Sequence, residues 1–138
     1  MSDFNQGVID EFRANEGVVG GPFAGAPMIL VTHKGAKSGI ERTTPLVCSR
    51  DGDDVVIVAS MGGAPTHPQW YHNMIANPEV GVEIGTDSYR AQVIEATGAE
   101  RDRLFAAQAA IMPNFDEYQA KTSRVIPVLV LKRTAASA

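Results

Sequence analysis

Between His33 and Pro45 the chain reads His-Lys-Gly-Ala-Lys-Ser-Gly-Ile-Glu-Arg-Thr-Thr-Pro. Gly35 and Gly39 bracket a reversal that turns backbone N–H groups into one concavity, because glycine alone enters positive φ at little cost. Lys37, Ser38 and Arg42 add side-chain donors, and Thr43 and Thr44 add two hydroxyls. Such a set suits a phosphate or a carboxylate. From His33 to Arg50, four basic residues stand against Glu41 alone, a local +3 in a chain of formal net charge -4. The same residues would also serve an ordinary solvated hairpin, since Lys and Arg are common on exposed strands.

Two aromatic groups could work beside that turn. Trp70 and Tyr71 follow the glycine-rich stretch Ser60-Met61-Gly62-Gly63, where backbone is free to approach a ligand. They either wall a planar ring or cap the end of a barrel. Phe115 and Tyr118, three apart, share a helical face, and a tyrosine hydroxyl in an apolar pocket can give up a proton. Metal chemistry finds no support. His33, His67, His72 and Cys48 are the only soft ligands, and no pair has the i, i+4 or Cys-x-x-Cys spacing. Cys48, in a strand-like run, reads as a buried inert thiol, and Gly35–Gly39 is too short for a phosphate-binding P-loop.

These groups need a scaffold. Met28–Thr32 and Thr43–Ser49 read as strands joined by the glycine turn, with Pro45 marking an edge, a strand start or a bulge. Val55–Ala59 reads as a strand buried on both faces. Gln69–Ile75 is a short helix between Pro68 and Asn77-Pro78. Glu79–Ile84 and Ser88–Glu95 alternate around Thr86-Asp87 as a hairpin. A helix runs from Thr97 or Gly98 to Met112, a shorter one covers Phe115–Lys121, and Pro127–Lys132 is a last strand before a frayed tail. At the N-terminus Phe4, Val8, Ile9 and Phe12 share one helical face, which covers either its own barrel or a partner's. The expected architecture is α+β: a small β-barrel of about six mostly antiparallel strands, with an N-terminal helix and outer helices. One domain over 1–138 is expected, with helix and loop to 27, barrel core over 28–132 and tail over 133–138.

Composition narrows the class. The chain has 138 residues, 44% hydrophobic and 20% charged, which suits one globular domain with a real core. A pI near 5.3 argues against a general nucleic-acid binder. A lone cysteine, no apolar run of membrane-spanning length and no signal-peptide pattern lead us to expect a cytoplasmic protein for which membrane association is not required. Nothing in the sequence decides between monomer and dimer.

Four stretches in order resemble the deazaflavin-dependent nitroreductase family, oxidoreductases of actinobacteria that use coenzyme F420, and the resemblance implies their fold, a split β-barrel of the FMN-binding-like kind. They are Gly35-Ala36-Lys37-Ser38-Gly39 with Arg42 and Pro45-Leu46; Val58-Ala59-Ser60-Met61-Gly62-Gly63; Pro68-Gln69-Trp70-Tyr71-His72-Asn73 with Ala76-Asn77-Pro78; and Ile126-Pro127-Val128. The resemblance implies that Lys37, Ser38 and Arg42 hold the phosphate and oligoglutamate tail of the coenzyme. It implies that Thr44, Pro45, Leu46, Ala59, Ser60 and Met61 run along the deazaflavin ring, followed by Trp70, Tyr71 and Asn73. Phe115 and Tyr118 would meet the acceptor, with Tyr118 or water giving the proton. The implied activity is hydride transfer from reduced F420 to an electron-poor small molecule, an enone or a nitro compound. An FMN-dependent split-barrel reductase and a non-catalytic deazaflavin carrier are the alternatives. Ala36 and Met61 stand where some members carry basic residues, and Phe115 where one carries tyrosine.

Overall fold

Side chains alternate between two apolar environments along the strands, and that alternation builds the molecule. Val55 and Ile57 of β3 (Asp54–Val58) point into the barrel with Leu129 and Leu131 of β6 (Val128–Ala136). Val56, Val58, Val128 and Val130 point outward into a second apolar layer. The run expected to be buried on both faces is therefore covered by the lumen on one side and by helices on the other. The computed structural model describes residues 3–20, 27–52, 54–60, 63 and 66–136.

The remaining strands are β1 (Met28–Lys34), β2 (Glu41–Asp51), β4 (Glu79–Ile84) and β5 (Asp87–Glu95). All pairings are antiparallel and close into a barrel in the order β1-β2-β3-β6-β5-β4. Helix α1 (Asp3–Ala14) lays Val8, Ile9 and Phe12 over Met28 and Leu30, so this face covers the chain's own barrel. Arg13 fixes it to β4 through Glu83 at 2.8 Å. Helix α2 (Gln69–Ala76) buries Met74 in the lumen cluster and plugs one end. Helices α3 (Gly98–Ile111) and α4 (Asn114–Ala120) cover the outer face of β3 and β6 with Leu104, Phe105, Ala109 and Phe115.

Two details depart from the sequence reading. Arg133 does not start a tail: β6 continues to Ala136, paired with β5 up to Tyr89↔Ala136 across an irregularity between Arg90 and Ala91. The long β5 supplies the partner that a lone C-terminal segment would lack. The second departure matters more. β2 pairs with β1 from Glu41 to Val47, but with β3 only from Cys48 to Asp51. Beyond Cys48 the two strands part, so Pro45 sits on a free edge, where its missing N–H costs no ladder bond. Thr43–Val47 are accordingly half-buried, whereas the facing stretch of β1 is almost wholly buried.

Candidate active site

The basic turn is closed by its own backbone. Gly35 N–H donates to Ile40 C=O at 2.9 Å, and Gly39 N–H donates to Gly35 C=O at 3.0 Å. Gly39 has φ +70°, the left-handed conformation expected of it. Gly35 does not share that conformation, which corrects the sequence reading; its constraint is space. A Cβ at Gly35 would run into the Ser38 hydroxyl, which folds back to accept from Ile40 N–H at 3.2 Å.

A buried polar chain holds the turn on the barrel. Asn73 Oδ1 accepts from Ala36 N–H at 3.0 Å and from Gln69 Nε2 at 3.1 Å. That fixes the amide's orientation, so Asn73 Nδ2 faces His33 Nδ1 at 3.2 Å as a donor. His33 must then carry its proton on Nε2, which donates to Thr44 Oγ1 at 2.8 Å. Burial, helped by the nearby Arg42 charge, pushes His33 down to about 4 and keeps the ring neutral. Asn73 and Thr44 thus position the turn through His33, a residue that the sequence offered only as a possible metal ligand.

Around this anchor lies a cavity of about 560 Å3 lined by Gly35–Ser38, Arg42, Gln69, His72 and Asn73. Among the described residues Lys37 and Arg42 make no ion pair, while Arg13, Arg90, Arg103, Lys132 and Arg133 all do. Trp70 is half-buried against the lumen cluster and caps the barrel end. Tyr71 faces away from the basic cavity. Its hydroxyl donates to Glu95, 3.0 Å from each carboxylate oxygen, and it lines a second cavity of about 360 Å3. Burial and the Glu95 carboxylate raise its phenol to about 12. The helical turn separates these neighbours, sending Tyr71 to one side and Asn73 to the other.

The parted strands bring the second group of predicted residues together. Thr44, Pro45 and Leu46 lie on the free edge of β2, and Ala59 and Ser60 continue β3 past the point where the two strands separate. Ala59 N–H still bonds Pro127 C=O at 2.9 Å, so this segment follows β6 and not β2. Arg124 clamps it. The guanidinium donates to Ala59 C=O at 3.2 Å and Ser60 C=O at 2.6 Å, and its Nη1 lies 3.0 Å from His67 Nδ1. Met61 lies outside the described residues. Gly63, at φ +83°, packs so closely on the Tyr118 backbone that a Cβ there would collide with the Tyr118 carbonyl. That contact seats α4 against Gly63. Tyr118 is half-buried, and its phenol oxygen accepts from Asn114 Nδ2 at 2.6 Å. Phe115 is buried in the outer layer, edge-on to Tyr118 at 5.5 Å. Arg124 has no local signature in sequence: its partners Ala59, Ser60 and His67 lie at least 57 positions away. Cys48 is buried in the lumen and raised to about 11 by that burial, an inert thiol as expected.

A six-strand antiparallel barrel with outer helices, parted beside a basic turn, is the architecture of the split-barrel reductases. The family model for F420H(2)-dependent quinone reductases matches residues 6–133. The chain belongs to that family: it is an oxidoreductase, its cofactor is coenzyme F420, and its acceptor is a small molecule. An F420H(2)-dependent quinone reductase of Mycobacterium tuberculosis H37Rv is 40% identical over 126 residues, 88% of this chain and 85% of that one. A solved F420-H2 dependent reductase, FDR-A, superposes with a TM-score of 0.72 at 39% identity, covering 77% of this chain and 94% of its own. A solved domain-swapped dimer gives 0.73 at 36% identity, covering 90% and 94%. No helix among the described residues is long and apolar enough to cross a membrane.

Proposed function

We propose that the chain reduces a quinone, or a closely related conjugated carbonyl or nitro compound, at the expense of reduced coenzyme F420. One observation carries the assignment of the site. Lys37 and Arg42, the two cations of the turn, line one cavity without an acidic partner among the described residues. Cations left unpaired beside a preformed turn fit the phosphate and glutamate chain of the coenzyme, and Arg42 can grip either through two bonds.

When bound, the coenzyme supplies a hydride. In our reading Thr44, Pro45, Leu46, Ala59 and Ser60 form the walls of the slot for its ring, with Met61 following in sequence. The Asn73–His33–Thr44 chain keeps the turn and the slot in fixed relation. Fixing both ends of a donor lowers the entropic part of the barrier. Tyr118 is the proton donor: its oxygen already accepts from Asn114, so the phenolic hydrogen remains available to an acceptor oxygen. Hydride plus one proton converts a quinone into a quinol, which balances the step. An enone accepts the same pair at its β-carbon and α-carbon. Phe115 supports the Tyr118 ring from within the outer layer. We take residues 1–138 as one catalytic unit.

Titration of Trp70 fluorescence with oxidised F420, and separately with FMN, tests the binding half. Saturable quenching by the deazaflavin with little by FMN is expected, because Trp70 sits on α2, three residues from Asn73. Turnover is read by anaerobic mixing with reduced F420 and a panel of naphthoquinones, enones and nitroaromatics. Reoxidation fastest with quinones supports the reading. Tight binding without reoxidation by any acceptor would make the protein a carrier.

A further inference from the structure

We propose that His72 is a third cationic contact for the anionic chain of the coenzyme and makes its binding depend on pH. This rests on the cofactor reading above and deepens it. His72 lines the same cavity as Lys37 and Arg42 and is exposed to it. Its place is fixed by its neighbour: Asn73 is bonded to the turn at Ala36 N–H and to the barrel at His33. The His72 ring is propped edge-on by Tyr71 at 5.4 Å and by His67 at 5.9 Å. Tyr71 is in turn tied to Glu95 on β5. His72 belongs, with Gln69 and Asn73, to the part of the cavity lining that α2 supplies.

The charged groups around it give the switch its direction. Lys37 on the turn and Arg42 on β2 line the cavity with it, His67 lies behind it, and Glu95 is held by Tyr71 on the far side. Imidazoles take up charge between pH 5 and 8. A cationic imidazole attracts a phosphate or carboxylate in the cavity and a neutral one does not, so by linkage anion binding takes up a proton and tightens as pH falls. Ala36 contributes no cation to the turn, and a protonated His72 would add one from α2.

The test uses the full chain and two ligands, F420 and its phosphate-free deazaflavin chromophore, each titrated by Trp70 fluorescence at pH 6 and pH 8. For the native protein we expect F420 to bind about fivefold tighter at pH 6, and the chromophore to show no such difference. His72→Gln, which keeps a polar side chain without a titrating charge, should bind F420 at pH 6 as weakly as the native protein does at pH 8. His72→Lys should bind tightly at both. If His72→Gln retains the full pH dependence and affinity, the inference is overturned while the cofactor reading stands. If the native protein binds F420 at neither pH, the cofactor reading fails and takes the inference with it.

Discussion

Asn73 Nδ2 lies 3.2 Å from His33 Nδ1, and this buried contact between residues 40 positions apart joins the plug helix α2 to the strand that enters the basic turn. Replacing Asn73 by Leu would strand the Ala36 N–H and the His33 ring nitrogen together. We expect a loss of about 2–4 kcal/mol in urea unfolding, the usual cost of orphaned buried partners. The Kd for F420 should rise in the same variant. Stability within about 0.5 kcal/mol of the native protein would show that the chain is not a structural anchor.

The neutral state of His33 has a sign in pH. Its folded value of about 4 lies below the ordinary 6.5, so the unfolded chain binds a proton first as pH falls. The His33 contribution is therefore intact above about pH 6.5 and is lost progressively as pH drops toward 4. Unfolding free energy should fall by on the order of 2 kcal/mol across that window from this group. A His33→Gln variant should show a flatter profile over the same range, and an equally steep one would place the titration elsewhere.

Arg42 and Lys37 should act on binding and not on chemistry. Arg42→Ala is expected to raise the Kd for F420 about tenfold or more while leaving kcat at saturation near native. An unchanged Kd would remove Arg42 from the site.

Arg124 should behave in the opposite way. Its guanidinium holds the carbonyls of Ala59 and Ser60 in place. Arg124→Leu should free that segment and lower kcat by about tenfold to a hundredfold, with a smaller change in the Kd for F420. Arg124→Lys, able to reach one carbonyl at a time, should recover part of the loss. A purely structural role would instead lower Tm and leave kcat of the folded fraction intact.

Tyr118→Phe removes the phenolic proton and keeps the ring packed on Phe115. Turnover should fall by about a hundredfold with F420 affinity near native. Full turnover in this variant would pass the proton-donor role to water.

The sequence by itself determined the barrel. Alternation at Val55–Val58 and at Val128–Leu131, the glycine turn and the proline stops are local signals, because strand faces repeat every two residues and turns require particular φ angles; the hairpin expected around Thr86-Asp87 instead turns one residue earlier, at Gly85-Thr86, where Gly85 takes the positive φ and Asp87 already belongs to β5. The basic turn was legible for the same reason: Lys37, Ser38 and Arg42 are neighbours in the chain before they are neighbours in space. What the fold alone decided is which side chains meet across it. Tyr71 and Asn73 are two apart, yet one turns to Glu95 and the other to His33. Arg124 meets Ala59, Ser60 and His67 only after β6 has docked on β3. Hydrogen bonds between residues 24 to 65 positions apart leave no period in the chain. They depend on how far β2 pairs with β3 before the two strands part at Cys48, and that register is set by packing on both faces of the barrel.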